Sequence, residues 1–131
     1  MKKFRLPKGL LLAIAVVVSG IAVVSADSSA SSKLTTIASG SHDDIEMNCS
    51  YNGHQGGAKA TVSPGSVYLK WKLDKKIAII YYNQAEQNIT GLSTSSWSWT
   101  SGYSKGTGTF RHRFTAQDGS YTGNIEGLNY S

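Results

Sequence analysis

Apolar and polar residues alternate from Val67 to Leu73. Val67, Leu69, Trp71 and Leu73 share one parity, and Tyr68, Lys70 and Lys72 share the other. A period of two sends the two sets to opposite faces of an extended chain, so this run reads as a half-buried antiparallel strand. Asp74-Lys75-Lys76 supplies a polar turn. Ile77 to Tyr82 follows, β-branched and aromatic on both parities, which predicts a central buried partner strand.

The same alternation recurs from Thr109 to Thr115, with Phe110, His112 and Phe114 set against Arg111 and Arg113. Gln117-Asp118-Gly119 is a tight-turn sequence, since glycine accepts positive φ. Ser120 to Glu126 then reads as the return strand of a second hairpin. Leu128 and Tyr130 lie on the opposite parity from Tyr121 and Ile125, so Gly127 is expected to mark a bulge.

Weaker strand signals cover Ile45 to Tyr51, Ala58 to Ser63 and Ser95 to Ser101. Asn52-Gly53, Gly56-Gly57, Pro64-Gly65 and the loop from Tyr103 to Gly108 separate the strands, and only Gln84 to Gly91 offers a helical turn. About seven short strands without a useful helix predict an all-β domain, a small antiparallel β-sandwich or barrel, over residues 44–131.

The first 26 residues follow a different pattern. Lys2, Lys3, Arg5 and Lys8 precede an apolar run from Leu10 to Val18. After Ser19-Gly20, Ile21 to Ala26 ends in small residues. That order predicts a secretory signal peptide cleaved after Ala26, and therefore an extracellular protein. The apolar stretch is shorter than the roughly 20 residues a membrane-spanning helix needs. Residues 27–43 are rich in Ser, Thr and Ala, with Leu34 and Ile37 the only larger apolar side chains. They read as a flexible tail or pro-segment.

Removing the leader changes the charge. The whole chain carries a formal +5, yet nine basic residues against eight acidic ones follow Ala26. The attraction to nucleic acid that a basic protein would have is then nearly gone. Cys49 is the only cysteine, so no intramolecular disulfide forms. It is expected to be buried in a strand, with an interchain bridge in a homodimer as the other use of an exported thiol.

Two constellations carry candidate chemistry. Trp97 and Trp99 flank Ser98 and so project from one strand face. With Tyr103 they form an aromatic strip suited to stacking on sugar C–H faces or to a membrane interface, although in so small a domain without disulfides large aromatics are the obvious core material. Tyr68, Lys70 and Lys72 share the outer face of one strand, and Arg111 and Arg113 that of another. As neighbours these strands would make a basic patch for an anionic polymer or lipid, although lysines on exposed strands also deter aggregation. His42, His54 and His112 lack metal-site spacing, and no nucleophile elbow, cofactor motif or buried carboxylate pair is apparent. His112, between two inward phenylalanines, reads as a hydrogen-bonded core residue.

Ser50-Tyr51, His54, Ala60-Thr61-Val62 and Tyr81-Tyr82-Asn83 are loosely similar to the small secreted β-sandwich bacteriocins of the lactococcin group. The aromatic-glycine opening of that group is absent, and the chain runs well past Asn83. The resemblance implies an antimicrobial protein as an alternative and transfers no site residues. The residues themselves lead to a secreted, non-enzymatic domain without cofactor. It would bind a cell-wall glycan, an anionic polymer or a membrane surface, and not nucleic acid. A small inhibitor or matrix protein acting by edge-strand pairing is a further alternative.

Overall fold

The computed structural model describes residues 29–64 and 67–131. The expected signal peptide lies outside them, as do Asp27 and Ser28. The described chain is all-β: nine strands in two antiparallel sheets packed face to face as a sandwich. They are β1 (Ser29–Ile37), β2 (His42–Cys49), β3 (Gly53–Val62), β4 (Tyr68–Ile77), β5 (Ile80–Thr90), β6 (Ser98–Trp99), β7 (Tyr103–Ser104), β8 (Gly108–Ala116) and β9 (Tyr121–Tyr130). Sheet A has the order β1-β9-β3-β6, with β7 also on β3. Sheet B has the order β2-β8-β4-β5.

Several sequence expectations change in three dimensions. Thr109–Thr115 and Ser120–Glu126 do not form a hairpin. β8 pairs with β2 and β4 in sheet B, whereas β9 pairs with β1 and β3 in sheet A. The turn with Gly119 (φ 74) crosses between the sheets. Alternation reports one buried face and is the same whether that face meets a neighbour edge to edge or across a sandwich. β9 also pairs with β3 in unbroken register through Gly56↔Gly127, so Gly127 is no bulge. The irregularity falls instead at Leu73/Asp74, between β4 and β5.

The hairpin of β4 and β5 is present, but its turn is Ala78-Ile79 rather than Asp74-Lys75-Lys76. β5 is an edge strand, and Ile77, Ile80 and Tyr82 at its tip are exposed rather than central and buried. It runs to Thr90, through the stretch that offered a helical turn, while the strand expected over Ser95–Ser101 contracts to Ser98–Trp99. The Ser-rich segment is not a loose tail over its described part, because residues 29–37 pair with β9 as β1. Two contacts tie this edge strand to β2: Lys33 Nζ to Asp43 Oδ1 and Thr35 Oγ1 to Asp43 Oδ2, both 2.6 Å. Pairing with a neighbour's backbone supplies what the side chains lack.

Leu69, Trp71, Leu73, Phe110 and Phe114 of sheet B fill the interior against Ala58, Tyr121 and Ile125 of sheet A. Gly56 and Gly127 face each other across the β3–β9 ladder and leave a hollow on the inner face of sheet A. A Cβ at Gly56 would strike the Trp71 indole, and one at Gly127 would come 2.6 Å from His112 Cδ2. Trp71 donates its Nε1–H to His112 Nδ1 at 3.0 Å, so the His112 proton sits on Nε2. His112 is fully buried, as its position between two phenylalanines predicted. Burial, with a smaller contribution from His54, pushes its pKa down to about 3.

Candidate functional site

Gly56-Gly57 reads in sequence as a break, but it lies inside β3 and serves two indoles on opposite faces. Gly56 seats Trp71 inside, and Gly57 seats Trp99 outside. A Cβ at Gly57 would come 2.6 Å from Cε3 and Cζ3 of Trp99. Real side chains do not approach so closely, so only glycine lets the indole lie flat on the strand. Trp97 stacks on Trp99, with ring centroids 5.5 Å apart and planes 28° from parallel. The two indoles expected to share a face do so, half-buried, at the β6 margin of sheet A. Trp99 Nε1 is buried without a hydrogen-bond partner among the described residues.

The row that holds Trp99 also places Glu126, named in sequence only as the end of a return strand. Across sheet A the register runs Ser32 on β1, Glu126 on β9, Gly57 on β3 and Trp99 on β6. Glu126 therefore stands next to the glycine seat, on the face the tryptophans occupy. Burial pushes its carboxyl up to about 7. It has no ion pair or hydrogen bond to a described residue. Gln55 lies one row away on the same face and donates its Nε2–H to the Thr100 carbonyl at 2.8 Å, bracing the strand that carries the indoles. Two stacked rings beside a carboxyl that titrates near neutrality form the face's chemical focus.

No family model matches the chain. No curated protein matches it either. Among solved structures it is similar to a mitogen derived from Yersinia pseudotuberculosis, with a TM-score of 0.48 and 8% identity over 79% of this chain and 86% of that one. A likeness at that level carries nothing about the site.

Tyr103 does not join the strip. It pairs with His54 on β3, turns inward and packs on Trp71 at 5.6 Å, with its hydroxyl donating to Gln87 Oε1 at 3.0 Å. From Trp99 to Tyr103 the chain takes four steps where β3 takes three, Gly57 to His54, and this one-residue slip undoes the simple parity that linked the three rings.

The basic residues are brought together, as neighbouring strands would require, but acids come with them. On the outer face of sheet B one row reads Glu46, Arg111, Asp74 and Asn83, and the next reads Asp44, Arg113, Lys72 and Glu86. Arg111 Nη2 lies 2.6 Å from Asp74 Oδ2, and its guanidinium covers the Tyr81 ring at 3.8 Å. Arg113 Nε is 3.5 Å from Asp44 Oδ1, and Lys72 Nζ is 3.9 Å from Glu86 Oε1. Tyr81 donates its hydroxyl to Glu46. Lys70 alone has no acid in its row, and half-buried Tyr68 sits at the far end of the same face. The surface is an ion-pair ladder of nearly balanced charge, a poor match for a polyanion.

Cys49 is 5% exposed, and burial pushes its thiol up to about 11. Such a thiol is a small apolar core group, poorly placed for an interchain bridge. His54 is buried as well; its Nε2–H donates to the Gly106 carbonyl at 2.8 Å, and burial lowers its pKa. Among the described residues no three His, Cys, Asp or Glu side chains converge on a metal position.

Proposed function

We propose that the protein is a secreted, non-enzymatic binding domain that engages a cell-envelope glycan through the outer face of sheet A. The observation that carries this reading is the Trp97–Trp99 stack held beside Glu126 on the Gly57 seat. Sugar rings offer C–H faces to an indole platform and hydroxyls to a carboxyl. A carboxyl with a raised pKa both donates and accepts near neutral pH, as a hydroxyl partner requires. The balanced ladder on sheet B favours this face over a polyanion site among Lys70, Lys72, Arg111 and Arg113.

The test is binding of the purified protein to cell-wall fractions, with and without Trp97→Ala/Trp99→Ala. An aromatic contact contributes about 0.5–1.5 kcal/mol beyond its buried area. The double variant, with its circular dichroism unchanged, is expected to bind at least tenfold more weakly, roughly 1.4 kcal/mol. Undiminished binding by that folded variant would refute the reading.

A further inference from the structure

The inner face of the β4–β5 hairpin runs beyond the sandwich. Leu69, Trp71 and Leu73 on β4 face sheet A and are fully buried. The same parity continues through Lys75 to Ile77, and the register adds Tyr82 opposite Lys75 and Ile80 opposite Ile77. Ile77 is 54% exposed, Ile80 53% and Tyr82 48%, while Ile79 at the turn reaches 87%. A core-facing stripe thus continues into solvent as a projecting tip, with three isoleucines and a tyrosine uncovered. Single exposed apolar residues are ordinary, but four gathered on one protrusion mark a contact surface.

Charge selects the occupant. Lys75 and Lys76 stand directly behind the tip. Lys105 lies in the adjoining loop, where its backbone N–H bonds the Asn52 carbonyl at 3.0 Å, and a Cβ at the neighbouring Gly106 would lie 4.0 Å from Lys75 Nζ. Lys75 and Lys105 have no ion-pair partner among the described residues, and Lys76 is 3.7 Å from Glu46. Lys75 lies over the Phe110 ring on the inner face and Lys76 over the Tyr81 ring on the outer one, each at 5.7 Å, so the base of the tip is flanked by two cations without an acid, Lys75 and Lys105, and by one partly offset by Glu46. Ile79 stands about two residues, roughly 7 Å at strand rise, beyond Lys76. That matches the 5–10 Å at which interfacial elements bury apolar groups below lipid headgroups.

We propose that this hairpin tip is a membrane-contact element. Ile77, Ile79 and Ile80 enter the acyl boundary of an anionic bilayer, Tyr82 sits at the interface, and Lys75, Lys76 and Lys105 meet lipid phosphates. This surface is separate from the Trp97–Trp99 face and does not depend on the glycan reading.

The probe is flotation of the purified protein with vesicles of phosphatidylglycerol and phosphatidylcholine, compared with phosphatidylcholine alone. The protein is expected to float with the anionic vesicles and at least tenfold less with the neutral ones. Ile79→Ser/Ile80→Ser, at exposed positions that leave the core intact, should abolish flotation. Trp97→Ala/Trp99→Ala should retain it, which separates this outcome from the fate of the glycan site. Flotation unaffected by the isoleucine changes, or absent in the unaltered protein, overturns the proposal. So does a concentration-dependent dimer in sedimentation that those changes dissolve, since a second copy would then be the occupant.

Discussion

Single residues decide this surface through their neighbours in the cross-strand row. Glu126 is ordinary in sequence, yet its place beside the Trp99 seat lifts its carboxyl from the usual 4.5 to about 7. A carboxyl raised in the folded state contributes stability that is present below its unfolded pKa and is lost as pH rises through the folded one. Between about pH 4.5 and 7 this residue should therefore weaken the fold by on the order of 2–3 kcal/mol. Glu126→Gln keeps the shape and removes the titration. Urea unfolding at pH 5 and pH 8 should show the variant gaining on the parent protein at the higher pH. An equal difference at both would mean that Glu126 is not desolvated. The Gly56-Gly57 pair teaches the same lesson: its signal in sequence was visible, but its meaning, two indole seats on opposite faces, needed the partners Trp71 and Trp99.

Strand existence was legible wherever one face is buried. Val67–Leu73 and Thr109–Thr115 alternate because Leu69, Trp71, Leu73, Phe110 and Phe114 all meet sheet A. Pairing was not legible, because β8 and β9 share a short turn yet belong to different sheets. β1 escaped notice because its backbone bonds to β9, not its Ser-rich side chains, hold it. The β4–β5 turn was misplaced because lysines at 75 and 76 look like turn residues, whereas the chain reverses at Ala78-Ile79. That choice strains the turn. Ala78 has φ 60, a left-handed conformation that costs a residue with a Cβ roughly 1 kcal/mol. Ala78→Gly should thus stabilise the protein by up to about 1 kcal/mol, read as a higher urea midpoint with unchanged m value. A lower midpoint would show that the entropy glycine adds to the unfolded chain outweighs the strain relieved.

In the whole molecule, the two sheets divide the labour. Sheet B turns a ladder of paired charges outward, with Arg111–Asp74 largely desolvated, and sheet A turns out two stacked indoles and a shifted carboxyl. The all-β class and the shared face of Trp97 and Trp99 could be read from alternation alone. The acids that neutralise Arg111, Arg113 and Lys72 could not, since Asp44, Asp74 and Glu86 are distant in sequence and become neighbours only through the strand order β2-β8-β4-β5. Tyr103 leaves the strip for the same kind of reason, a one-residue slip against β3 that spacing does not reveal.

The proposed glycan surface is tested most directly by mapping where soluble cell-wall glycan fragments perturb the 15N-resolved NMR spectrum of the folded protein. The indole N–H signals of Trp97 and Trp99 and the amides around Gly57 and Glu126 should shift together, with the Lys72–Arg113 ladder silent. Perturbations gathered on that ladder, with both indoles unmoved, would contradict a binding face on sheet A.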